Sequence, residues 1–351
     1  MDQKNYVNST KINFFRAHNN KNIIIILAVI CISSFIIRLY YFPHSVPITL
    51  DGIDYFSYAI ELSRTGEFPH YHSFTNNGWP SFLSVFFSLH KSNNFLEYME
   101  IQRYLSVIIS VLTTIPIYIF CKRFFSRTYA LLGSILFAFD PRLIINSLLG
   151  LTDPFFIFLI TISLFLFLSR NIKSIYTSFV ILAFAVLVRY EGLILIIPCS
   201  IIFFLRFKNE DKIILKYSIA IVCFLLIILP MVYIRIQTTG TDGLISHLLA
   251  GTDFVSEHVI QGTPEDDDPI PGTDYQNKLA VFGTIAIFNL MKYTTLVMIP
   301  VLIFFVPFGI IMIIKNKRFL KFNVNIYTVI LISLFVLIPA LYAYGRGIQE
   351  T

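Results

Sequence analysis

Nine runs of Ile, Leu, Phe and Val, at residues 23–42, 101–120, 128–149, 154–169, 174–189, 191–206, 213–235, 293–314 and 324–344, decide what this chain can fold into. A helix that crosses a hydrocarbon core needs about 17 to 25 mostly apolar residues, each adding about 1.5 Å of rise. Most of the runs meet that length, and between them collect the few charges the chain has. Only 14% of the residues are charged and 56% are apolar, with a mean hydropathy of +0.72. A soluble chain carries about a quarter charged residues, so a water-soluble globule is excluded. The predicted class is an all-α polytopic membrane protein of about nine transmembrane helices. Runs five and six are divided by Arg189-Tyr190-Glu191-Gly192. Two short spans or a re-entrant hairpin both fit there, and either leaves the flanks on one side.

Orientation follows from Lys and Arg, which stay on the cytoplasmic side of a membrane. Seventeen of the 27 fall in the N-terminal tail and the even-numbered connections, from Lys4 to Lys21, Lys122 to Arg127, Arg170 to Lys173, Arg206 to Lys216, and Lys315 to Lys321. The only acids on that side are Asp2, Glu210 and Asp211, which leaves 18 of 21 for the other face. The N-terminus is therefore expected in the cytoplasm and the C-terminus outside. Residues 1–22 read as a cytoplasmic tail and 23–351 as a single transmembrane domain, with long external loops at 43–100 and 237–292. The expected location is the plasma membrane or its equivalent, multi-pass, with the active face external. The net charge of +6 is then a topology signal, and no nucleic-acid partner is expected. The first run is too long for a secretory leader and lacks a small-residue cleavage site, so it reads as a retained anchor. Cys31, Cys121, Cys199 and Cys223 lie in or at the ends of apolar runs, as small hydrophobes rather than disulfide or zinc partners.

Chemistry is expected outside, where acids concentrate and the loops are long. From Asp54, apolar residues at 55, 56, 59, 60 and 62 fit one stripe of a short helix that stops near Gly66. Asp51 and Asp54 read either as N-caps of that helix or as carboxylates at the lipid–water boundary, where partial desolvation suits one to take a proton. Ser81 to Leu89 is too short to span and reads as an interfacial helix with Trp79 at headgroup depth. His70 and His72 form an HxH pair, read as loop histidines or as metal ligands. In the second loop, Thr263 to Gly272 holds an acid run that is most simply solvated; a divalent metal there has no ligand pattern behind it. Leu279 to Leu290 is apolar enough to lie in the interface.

Several pieces, taken in order, resemble the GT-C superfamily of integral-membrane glycosyltransferases. They are Asp51-x-x-x-Tyr55 with Gly66 eleven residues on, the Lys122-Arg123-Phe124-Phe125-Ser126-Arg127 hinge, Leu151-Thr152-Asp153-Pro154-Phe155-Phe156, and Leu187-Val188-Arg189-Tyr190-Glu191-Gly192. The resemblance covers roughly the first 230 residues. It looks closest to the protein O-mannosyltransferase and lipid-A aminoarabinose transferase branch, although Gly52 stands where that branch has Glu. The Trp-Trp-Asp type signature of the oligosaccharyltransferase branch is missing. The resemblance implies a sugar donor on a polyprenyl or dolichyl phosphate, and a protein, glycan or lipid acceptor whose hydroxyl attacks with inversion. Asp51 is then the expected base, with Asp54 and Asp153 as further catalytic candidates. Arg189, Arg142 and Arg346 are candidate phosphate cations, and Glu191, Tyr55, Asn77, Trp79, His70 and His72 further substrate contacts. No cofactor is assigned. For Asp153 an ordinary helix start, with Pro154 at its first position, fits equally; for Arg189, an ion pair with Glu191 or Asp153. Two other classes stay open: a transporter or lipid flippase, and a non-catalytic protein that binds lipid-linked sugar. The stop at Thr351, just past the ninth run, reads as a truncated product.

A single cysteine placed at Asn93 in a chain cleared of its native cysteines is expected to react with a membrane-impermeant maleimide from outside intact cells. One at Arg170 is expected to react only after permeabilisation. The reverse pattern would invert the topology.

Overall fold

The computed structural model describes residues 3–49, 51–70, 72, 77–245, 278–297 and 324–345, and among them every regular element is helical. In chain order these are α1 (Gln3–Tyr40), α2 (Asp51–Thr65), α3 (Gly78–Leu89), α4 (Phe95–Cys121), α5 (Arg127–Ala138), α6 (Pro141–Leu148), α7 (Asp153–Phe167) and α8 (Ile172–Val188). A 3-10 turn (Tyr190–Leu195) then leads to α9 (Ile196–Phe207), α10 (Ile213–Thr239), α11 (Lys278–Val297) and α12 (Val324–Gly345). Four stretches are long and apolar enough to cross a bilayer: Lys21–Tyr40 of α1, α4, Tyr190–Phe207 and α10. The pair α5 and α6 makes a fifth if its 47° bend is counted within one span. α7, α8 and Ile326–Ile338 of α12 are shorter apolar helices, and most of the run at 293–314 lies outside the described residues.

The expected continuous third span is thus a bent pair, and the cause is local. Phe139 closes α5, and the Asp140 carboxylate accepts hydrogen bonds from the backbone N–H of Arg142 at 2.9 Å and of Leu143 at 3.1 Å. With Pro141 at the first position, this starts a new helix in a new direction. The break between runs five and six is as marked: Arg189 is extended, with φ −148° and ψ 121°, and separates α8 from the 3-10 turn.

The described residues divide into two compact units, one drawn from Met1–Gly66 and Trp79–Phe165, the other from Glu67–Gly78 and Leu166–Thr351. In the first, α4 packs against α1, α5 and α6, and α1 also touches α5 and α6. Its interior is polar for a membrane bundle. Ser34, Arg38, Gln102, Ser106, Ser110, Thr113, Ser134 and Ser147 are all buried. Small hydroxyl residues let helix backbones approach and bond across the gap, and Arg38 exploits this. Its guanidinium donates to the carbonyls of Ser34 (3.2 Å) and Ala138 (2.9 Å), to the hydroxyls of Ser147 (3.2 Å) and Ser110 (3.1 Å), and to Ser34 Oγ. α1 is thereby tied to α4, α5 and α6. Also in this unit, Arg123 donates to Phe165 O at 3.2 Å. In the second unit α8 packs on α10, α11 on α12, and α12 on α9; Arg206 donates to Phe167 O at 2.9 Å and to Ser169 O. Two residues counted above as cytoplasmic cations therefore also satisfy carbonyls at a helix end.

Replacing Arg38 by Met is expected to cost about 2–3 kcal/mol, since interhelical hydrogen bonds in lipid contribute roughly 0.6 kcal/mol each and up to about 1.7. Thermal unfolding of the detergent-solubilised protein reads this as a lowered Tm, and an unchanged Tm would contradict the assignment.

Candidate functional site

α2 forms as the stripe predicts. Tyr55, Phe56, Ala59 and Ile60 are buried, and Gly66 closes the helix at φ +74° with its N–H on Leu62 O at 3.0 Å. Asp51 is its first residue and Asp54 one turn in, so both acids stand in the helix's first turn, where its unpaired N–H groups favour negative charge. Both carboxylates are exposed, so the protein itself supplies none of the desolvation expected at the lipid–water boundary.

What positions Asp51 is a buried amide the sequence reading passed over. Gln102 of α4 is fully buried, and its Nε2 donates to Gly52 O at 3.1 Å and to Gly150 O at 2.9 Å. One nitrogen thus fixes the start of α2 and the turn three residues before Asp153. Trp79 adds a second donor to Gly150 O, through Nε1 at 3.1 Å, while its ring stacks on Phe82 and tilts against Phe155. Trp79 is 0% exposed: its indole is held inside the unit by a carbonyl partner for its N–H. The signal that would have found Gln102 is an uncharged polar side chain opening an otherwise apolar run, four residues before Ser106 on the same helix face.

Gly52 now has a physical reason. A Cβ there would collide with Ile48 Cγ2 and sit 3.1 Å from Leu149 O, so the longer acid of the related branch has no room. Asp153 corrects a smaller detail. It is the first residue of α7 rather than its cap, because Phe156 N–H bonds to Thr152 O at 3.0 Å. With Asn146, Ser110 and Thr113 it lines a cavity of about 10 Å³, room for one water. Tyr55 is buried in α2, and Arg142 is exposed on α6.

The second unit holds the remaining candidates. Arg189 Nη2 pairs with Glu191 Oε1 at 2.9 Å, both side chains about a quarter to a third exposed. The ion-pair reading of Arg189 is therefore realised with Glu191, whose Oε2 is buried with no hydrogen-bond partner among the described residues. Asn77 is 2% exposed, and its Nδ2 likewise has none among them. Beside it Gly78 packs so tightly on the Leu187–Val188 backbone that a Cβ would lie 2.6 Å from Leu187 C. His70 is exposed and His72 half-buried. Among the described residues no three His, Cys, Asp or Glu side chains group to hold a metal ion. Arg346 and the acid run at 263–272 lie outside the described residues.

Residues 83–234 match the family described as dolichyl-phosphate-mannose-protein mannosyltransferase. Over 92% of the chain the fold superposes, with a TM-score of 0.58 and 14% identity, on a crystal structure of the Archaeoglobus fulgidus oligosaccharyltransferase in complex with zinc and sulfate. The chain shares the fold of that structure. A second structure from the same organism, the oligosaccharyltransferase with an inhibitory peptide and a dolichol-phosphate, matches with a TM-score of 0.50, 13% identity and 96% coverage of the chain. The chain spans 47% and 40% of the lengths of these two proteins. No curated protein matches its sequence. The family match begins after Asp51, Tyr55 and Gly66, so the acid-bearing first loop rests on fold and geometry; the fold match, in turn, extends past the 230 residues the motifs covered.

Gly52→Ala is expected to cost about 1–3 kcal/mol, the usual range for overpacking, and Gly52→Glu more. A thermal scan checks this. A Gly52→Ala protein as stable as the original would show that α2 does not pack on the 149–150 turn.

Proposed function

We propose that this chain is a glycosyltransferase that moves a sugar from a polyprenyl or dolichyl phosphate to an acceptor hydroxyl at the external face of the membrane. The observation that carries the reading is the exposed Asp51 carboxylate, set at a helix start that a buried glutamine ties to the Asp153 turn. A general base must be accessible to an incoming hydroxyl and yet fixed in place, and this arrangement supplies both. The family match to dolichyl-phosphate-mannose-protein mannosyltransferases supports the donor class.

In the proposed reaction Asp51 takes the acceptor proton as the hydroxyl oxygen attacks the anomeric carbon. The bond to phosphate breaks on the opposite face, and the configuration inverts. Charge gathers on the leaving lipid phosphate and calls for fixed positive or N–H groups. Arg189 is proposed for that role. Its present partner Glu191 orients the guanidinium, and the unpartnered amide of Asn77 is a further donor. Asp54 and Asp153 are proposed to bind the sugar or acceptor.

Asp51→Asn is expected to lower transfer from dolichyl-phosphate-linked mannose by about 10²- to 10⁴-fold, the usual contribution of a general base, with yield and Tm unchanged. Turnover at the original rate would remove Asp51 from the reaction.

A further inference from the structure

Residues 43–100 contain six acids and only two Lys or Arg residues, Arg64 and Lys91. The fold brings those two cations, 27 positions apart, to one cleft. It is formed by the C-terminal ends of α2 and α3 and by the turn into α4, and is lined by Ser63, Arg64, Ser88, Lys91, Asn93 and Tyr98 among others, with a volume of about 600 Å³. We propose that this cleft binds the phosphate headgroup of an anionic glycerophospholipid, with Arg64 and Lys91 on the phosphate and the hydroxyl and amide groups on the headgroup polyol.

Three observations converge on that ligand. First, the cations are not consumed by the helix ends beside them. Ser63 Oγ donates to Ile60 O and Ser88 Oγ to Val85 O, each at 2.8 Å, while Gly66 N–H and His90 N–H reach Leu62 O and Phe87 O. Of the terminal carbonyls that would draw a cation, Leu62 O and Phe87 O already have backbone donors. His90 is engaged with Glu97 at 3.1 Å, which leaves Arg64 over the Phe95 ring at 5.0 Å and an exposed Lys91.

Second, the cleft is built before any ligand arrives. Tyr98 Oη donates to His90 O at 2.8 Å and accepts from Ser92 N–H at 3.1 Å, and Asn94 caps α4 through Leu96 N–H at 3.0 Å. Third, exposed apolar side chains adjoin it: Val85 and Leu89 on α3, and Phe95 under the Arg64 guanidinium, are 58%, 79% and 48% exposed. α4 runs 27 residues, about 40 Å against a hydrocarbon core of roughly 30 Å, which leaves length for a terminal turn at headgroup depth. Cations beside exposed apolar side chains at that depth suit a lipid, which offers phosphate and acyl chain together.

This lipid is distinct from the proposed sugar donor. Arg64 is thirteen residues along α2 from Asp51, about 20 Å at helical rise, too far for one phosphate to serve both ends. The inference therefore stands or falls independently of the transfer reaction.

The test uses the full chain reconstituted in nanodiscs of phosphatidylcholine with 20% phosphatidylglycerol as the probe, a proportion of roughly the anionic content of a cell membrane, followed by native mass spectrometry of lipids retained after release into detergent. The original protein is expected to retain phosphatidylglycerol over phosphatidylcholine. R64Q/K91Q is expected to lose that preference about tenfold, and R64K/K91R, which keeps both charges, to restore most of it. Equal retention by R64Q/K91Q, or loss in both variants alike, would overturn the proposal. Soluble glycerol 3-phosphate at millimolar concentration is expected not to displace the lipid; full displacement would make the ligand a free polyol phosphate and overturn the membrane assignment.

Discussion

A side-chain amide buried in a lipid-solvated bundle has no water to bond, so its partners must come from the chain. The Nε2 of Gln102 finds two, the carbonyls of Gly52 and Gly150, while its Oε1 is buried with no hydrogen-bond partner among the described residues. Gly150 lies past the end of α6, where carbonyls have no intrahelical donor, and Gly52 O, in the first turn of α2, has a second lone pair for the amide. Trp79 joins the same carbonyl at Gly150, and the aromatic contacts with Phe82 and Phe155 shield the group. Remove the amide and the start of α2, with Asp51 on it, loses its tie to the rest of the unit.

The same logic governs the charged interior. Arg103 donates to the carbonyls of Val46, Pro47 and Leu148 at 2.5, 2.9 and 3.1 Å. The non-helical exit from α1 would otherwise present bare carbonyls at the membrane boundary. Arg38 does the equivalent within the bundle. Neither arginine has a carboxylate partner among these hydrogen bonds; oxygen dipoles replace one, so each side chain is held by several weak acceptors and by shape.

How much of this the sequence displayed depends on which physical signal a residue carries. Helical class, the α2 stripe ending at Gly66, the broken fifth and sixth runs and the short helix α3 all rest on periodicity or on glycine and charge punctuation, and those are local properties. The 47° bend at Asp140-Pro141 was equally local, an N-cap followed by proline, but hydropathy averaged over a window conceals a two-residue break. The roles of Trp79, Gln102 and Gly52 were not legible, because each depends on what lies across the bundle. The burial of the Trp79 indole depends on a carbonyl 71 residues away. The candidate acids were visible as acids; what holds them was not.

The four helices that Arg38 joins are not made together. α1 leaves the ribosome before the other three, and its guanidinium meets Ser110 only when α4 exists, Ala138 only after α5, and Ser147 only at the end of α6. Until α4 is made, Ser34, on α1 itself, is the only one of these residues within its reach. The place of α1 in the bundle is provisional until α6 arrives, which makes the first of the four helices translated the last to be secured.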